Sequence, residues 1–187
     1  MNIQKLLYPP IKRAPIKEMP KTLIWHSYVK YLDNEVDQFV LFPTNKNEFG
    51  KRIIMKCFPE YIEREGNKKI PSLYIWQLFS NCSGSHYGFK MLDFAKNYSK
   101  KIGCNGYFHL SSDGCYNPYK LPHIFYRKYG MSTRSTRIDK KLDKFIAQGK
   151  NATYKDFNTE EMFYPPIQHK KLSTQIITFL VKSLFYQ

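Results

Sequence analysis

Residues Leu73 to Met131 read LYIWQLFSNCSGSHYGFKMLDFAKNYSKKIGCNGYFHLSSDGCYNPYKLPHIFYRKYGM. The run Leu73–Phe79 is apolar and aromatic, the composition of a buried strand. Asn81 to Gly88 (NCSGSHYG) is a turn of small and polar residues. Met91, Leu92, Ala95, Tyr98 and Ile102 then recur at helical spacing, and Gly103 stands where a helix-ending glycine belongs. Tyr107–Leu110 makes a second short strand. The unit is therefore strand, glycine-bearing turn, helix, strand. Its turn presents unpaired backbone N–H groups at a helix N-terminus, which suits an anionic phosphate.

Two familiar phosphate-binding patterns do not fit this turn. The dinucleotide fingerprint needs three glycines as G-x-G-x-x-G, and only Gly84 and Gly88 are present. The Walker pattern needs G-K-[ST] at the helix start, which Gly88-Phe89-Lys90 does not supply. Downstream stands Phe125-Tyr126-Arg127-Lys128-Tyr129-Gly130-Met131. A glycine-bearing turn, a helix, a strand and then FYxKxG with an apolar residue together resemble the GNAT-type N-acetyltransferases. The resemblance covers about 60 of the 187 residues. The family pattern Q/R-x-x-G-x-G/A falls on Ser83-Gly84-Ser85-His86-Tyr87-Gly88; Gly88 keeps the last glycine, Ser83 replaces the Gln/Arg and His86 the middle glycine.

The resemblance implies an α/β (α+β) fold with a mixed, mostly antiparallel sheet flanked by helices, and acetyl transfer from acetyl-CoA (coenzyme A) to an amine. Acyl transfer requires the thioester carbonyl to be held against polarising N–H groups, a neutral amine, and an acid for the departing thiolate. The family's splayed strand would supply main-chain groups to the pantetheine arm at Leu78, Phe79 and Ser80. The amides from Ser83 through Gly84, Ser85, His86, Tyr87 and Gly88 to Phe89 would hold the pyrophosphate, with Lys90 adding charge. Tyr126 matches the tyrosine that protonates the thiolate; a phenol, with a pKa of ~10 against ~8.5 for a thiol, is still protonated at neutral pH. His109 is the candidate base, histidine titrating near ~6.5, with Glu60, Glu63, Asp113 and a water chain as alternatives. Asn117 and Tyr119 stand where family members place a coenzyme A contact, Tyr119 in the usual asparagine position.

Composition bounds the remaining choices. A hydrophobic content of 42% and an aromatic content of 17% describe a chain able to bury a core, and 187 residues suit one domain. No apolar run approaches the ~18 residues of a membrane span, and MNIQKLLYPPIKR lacks a signal peptide's apolar region, so a cytoplasmic protein without membrane contact is expected. The net charge of +15 attracts polyanions. It supports a second function class, a non-catalytic basic nucleic-acid-binding or interaction module on the same fold, although no RNP-like or helix-turn-helix signature is present. Cys57, Cys82, Cys104 and Cys115 form no C-x-x-C pair, which points to reduced thiols and no metal.

Outside the central unit, residues 1–21 carry Pro9, Pro10, Pro15 and Pro20 and read as an extended arm. A GNAT-like domain is expected over 22–165, with Gln38–Pro43 and Lys51–Phe58 as strands and Glu60–Lys69 as a loop or poor helix. Ile138, Leu142, Phe145 and Ile146 mark a short amphipathic helix ended by Gly149, and Thr159–Tyr164 returns as a strand. Leu172, Ile176, Phe179, Leu180 and Leu184 give an amphipathic helix within 166–187, suited to packing on the domain or on a second copy as a homodimer.

Overall fold

The structure, a computed structural model, describes residues 24–31, 34–43, 50–64, 68–82, 87–114, 119 and 121–168. The expected arm over 1–21, the turn residues Ser83, Gly84, Ser85 and His86, Asn117, and the C-terminal helix lie outside the described residues.

The fold is α+β. Six strands form one sheet in sequence order: β1 (Ile24–Tyr31), β2 (Asn34–Leu41), β3 (Ile53–Glu63), β4 (Lys69–Ser80), β5 (Phe108–Ser112) and β6 (Glu160–Tyr164). All neighbours pair antiparallel except β4 and β5, which run parallel. A parallel pair needs a crossover, and helix α1 (Tyr87–Lys101) provides it. Helices α2 (His123–Tyr129) and α3 (Thr136–Ala147) fill the connection from β5 to β6. Among the described residues no helix is long and apolar enough to cross a membrane.

The two faces of the sheet differ. One carries Phe39, Ile53, Met55, Leu73, Ile75, Phe108 and Leu110, which alternate along their strands and close on Met91, Leu92, Ala95 and Tyr98 of α1. The other carries Phe58, Tyr74, His109 and Phe163, whose rings contact one another in sequence across β3, β4, β5 and β6. Such cross-strand aromatic contacts fix register.

Within the segment Glu60–Lys69, expected to be a loop or poor helix, Glu60–Glu63 and Lys69 are instead strand. Strand β3 continues to Glu63 and β4 starts at Lys69, with Glu60 opposite Ser72 and Ile62 opposite Ile70. Cross-strand pairing with β4 overrides the weak strand propensity of this charged stretch.

Helix ends follow the glycines. At Gly103 (φ 87°) the chain turns left-handed after α1, and the Cys104 amide donates back to the Ser99 carbonyl at 2.8 Å. Gly130 (φ 97°) does the same for α2, with the Met131 amide donating to the Tyr126 carbonyl at 3.1 Å. That turn sends Met131 into the core, where it is fully buried. Helix α2 is also pinned to α3, because Arg127 donates to both carboxylate oxygens of Asp143 at 2.7 and 2.8 Å. The bonded guanidinium holds the Asp143 carboxyl below its ordinary pKa.

Candidate functional site

The parallel pair opens into a fork. Strands β4 and β5 pair only through Leu73, Tyr74 and Ile75 with Phe108, His109 and Leu110. Beyond that point β4 continues to Ser80 against β3 alone, and β5 continues to Ser112 against β6. The divergence has a local cause. The β3–β4 register passes from Lys56 opposite Gln77 to Cys57 opposite Ile75, leaving Trp76 as an extra residue on β4. A bulge bends and twists its strand, here away from β5. One backbone edge of Leu78, Phe79 and Ser80 is bonded to β3, and the other faces the fork.

At the mouth of the fork α1 begins with Tyr87, Gly88 and Phe89, and its first turn carries no acidic residue. The ammonium of Lys90 lies over the Tyr87 ring at 4.9 Å. Gly88 has a structural role that spacing does not reveal. A Cβ there would stand 2.7 Å from Cζ of Phe125, so the missing side chain makes room for a ring of α2. The face of Gly88 that a Cβ would occupy is thus filled by protein rather than open to a ligand.

Helix α2 brings Tyr126 to the same region. Its ring is buried, packs edge-on against Phe125 at 5.2 Å and belongs to the core cluster with Tyr87 and Leu110. One turn on, the hydroxyl of Tyr129 donates to Asp93 of α1 at 2.8 Å, tying the two helices together. Burial and that carboxylate push the Tyr129 phenol well above its ordinary pKa. His123, at the start of α2, sits beneath β5. Its Nδ1 accepts from the Ser112 hydroxyl at 3.1 Å and its Nε2–H donates to the Asn158 carbonyl at 2.9 Å.

On the opposite face, at the closed end of the fork, a hydrogen-bonded chain crosses three strands. Glu60 Oε1 of β3 lies 2.8 Å from His109 Nε2 of β5, and His109 Nδ1 lies 2.9 Å from Ser72 Oγ of β4. A carboxylate only accepts, so Nε2 carries a proton and Nδ1 takes the serine hydroxyl. Ser72 is fully buried and His109 is 3% exposed, whereas the Glu60 side chain is 39% exposed. His109, the candidate base, therefore has both nitrogens engaged and little access; the accessible end of the chain is Glu60. Glu60 is one of the alternative bases named from the sequence, while Ser72 carries no local signal.

The other expected residues scatter. Asp113 and Glu63 are exposed, and the Glu63 carbonyl accepts from Arg134 at 2.9 Å. Both Asp113 and Glu60 add charge near Tyr74, whose phenol is raised by burial first and then by Glu60, Glu161 and Asp113. Tyr119 is 83% exposed. Among the described cysteines Cys57 and Cys104 are buried and Cys82 is half-buried, and burial pushes the Cys104 thiol up to about 12. Among the described residues no three His, Cys, Asp or Glu side chains converge as a metal site. No protein-family model, curated protein or solved structure matches this chain.

Proposed function

We propose that this chain is an acetyl-CoA-dependent N-acetyltransferase of the GNAT type, transferring acetyl to an amine by direct attack in a ternary complex. The observation that carries the reading is the fork: a parallel strand pair, bulged at Trp76, that opens beside the start of α1. A fork of this kind offers main-chain groups to an extended pantetheine arm, and the α1 amides suit a pyrophosphate. In this reading Glu60 takes the proton of the acceptor ammonium, with His109 and Ser72 behind it as positioning residues. The neutral nitrogen attacks the thioester carbonyl, the C–S bond breaks as the tetrahedral intermediate collapses, and Tyr126 protonates the leaving thiolate. The proton that the attacking nitrogen sheds as the amide forms returns through water to the phenolate, and Glu60 releases the ammonium proton to solvent. Products are coenzyme A and an acetamide.

The test is direct. Acetyl-CoA should raise the melting temperature in a saturable way, since a ligand that binds only the native state stabilises it by mass action. Thiol release with a panel of amines should then identify an acceptor. An unchanged melting temperature at millimolar acetyl-CoA would end the proposal.

A second reading has one specific observation in its favour. The helices bear exposed Lys90, Lys100, Lys101, Lys128, Arg137, Lys140, Lys141 and Lys144, a basic surface suited to a polyanion. Retention on immobilised nucleic acid that falls steeply with salt, without any acetyl-CoA effect, would favour this binding module over the enzyme.

A further inference from the structure

A cavity lies at the end of the sheet away from the fork mouth. It has a volume of about 260 Å³ and is lined by Arg64, Lys68, Ile70, Tyr107, Pro165, Pro166 and Gln168. Arg64 follows the last residue of β3, and Glu60 is not among the lining residues. The two sites are therefore separate.

Three features of this cavity point to its ligand. Arg64 and Lys68 both line it, and none of its described lining residues is acidic. The Arg64 guanidinium is also held in place: Nη2 donates to the Pro165 carbonyl at 2.6 Å, and the group lies over the Tyr107 ring at 5.0 Å. A guanidinium fixed by stacking and a main-chain acceptor loses little freedom on meeting a ligand, which makes it a preorganised oxyanion receptor. Finally, two prolines and a tyrosine ring form rigid, partly apolar walls beside the charges. They suit a flat or carbon-bearing substituent next to the anionic group.

We propose that this cavity is a binding site for a small doubly charged oxyanion, a phosphate monoester carried on a compact organic group. The guanidinium of Arg64 and the ammonium of Lys68 place two positive charges on one cavity, which match a dianion better than a chloride or a lone carboxylate. The proposal does not rest on the acetyl-transfer reading, because no fork residue takes part.

The experiment titrates the full chain with inorganic phosphate and with phenyl phosphate, chloride keeping the ionic strength constant. Binding is read by calorimetry and by NMR shifts of backbone amides. Saturable binding at one site per chain is expected, with the largest shifts at Ile70, Tyr107 and Gln168 and tighter binding of the phenyl ester. Lys68→Gln should weaken binding about tenfold, the scale of one charge-assisted hydrogen bond. Lys140→Gln on α3 should leave it unchanged. Arg64→Gln should abolish binding; because it also removes the bond to Pro165, Lys68→Gln decides the matter if that variant fails to fold. Non-saturable binding, or equal losses in Lys68→Gln and Lys140→Gln, would show only general attraction to a +15 chain and overturn the proposal.

Discussion

Gly88→Ala tests whether Gly88 serves packing. In an open helical position this change stabilises by about 1 kcal/mol, because alanine restricts the unfolded chain and favours helix. Here the new methyl would lie 2.7 and 2.9 Å from two atoms of the Phe125 ring, against an ordinary contact beginning near 3.4 Å, so the ring must retreat by about 0.7 Å. Phe125 is half-buried, packs at a tilt against Phe89 at 5.0 Å and lies edge-on to Tyr126, so its retreat disturbs both aromatic contacts. Overpacking of this kind costs about 1–3 kcal/mol, and the helix gain offsets part of it. The expected net effect is a destabilisation of about 1 kcal/mol, a fall in melting temperature of about 2–4 °C for a chain of this size. The assay is thermal and urea unfolding of Gly88→Ala, Phe125→Leu and the double variant. The smaller leucine should accommodate the methyl, so the double variant should be more stable than the sum of the single effects by about 1 kcal/mol. A Gly88→Ala protein more stable than the wild type, or strictly additive effects, would refute the packing role.

Other expectations concern chemistry and pH. Tyr126→Phe should lower kcat by ~10²–10⁴-fold with little change in KM for acetyl-CoA, the pattern of a lost proton donor; full activity would remove the role. Glu60→Gln keeps a hydrogen-bond acceptor for His109 but removes the proton acceptor, so kcat should fall while the melting temperature moves little. His109→Gln, by contrast, should cost stability as well as rate, because it breaks a buried chain. His123 is lowered below its usual pKa chiefly by burial. The unfolded chain then binds this proton more readily, so its contribution is complete above about pH 6.5 and is lost as the pH falls below that value. A His123→Gln variant should show a shallower loss of stability between about pH 6.5 and 5, measured by urea unfolding; an identical slope would place the pH dependence elsewhere.

Much of the framework can be read locally. The 3.6-residue recurrence of Met91, Leu92, Ala95 and Tyr98 specifies α1, and Leu142 with Phe145 specifies α3, because a helix closes its bonds within one turn. Gly103 and Gly130 mark helix ends because a left-handed turn penalises any Cβ. The strand Leu73–Phe79 and the helix after it already imply a crossover unit. Other features exist only once distant segments meet. The extra residue at Trp76 is a mismatch between β3 and β4, so neither strand alone predicts the bulge or the fork it opens. Glu60, Ser72 and His109 come from three strands, with 49 positions between Glu60 and His109 and 37 between Ser72 and His109. Gly88 acquires its meaning from Phe125, which the connection between β5 and α2 delivers to it. Helical order rests on neighbours a few residues apart, while register, bulges and buried hydrogen-bond chains rest on which strand pairs with which. That choice is made by packing of the whole chain, and so only the tertiary structure decides it.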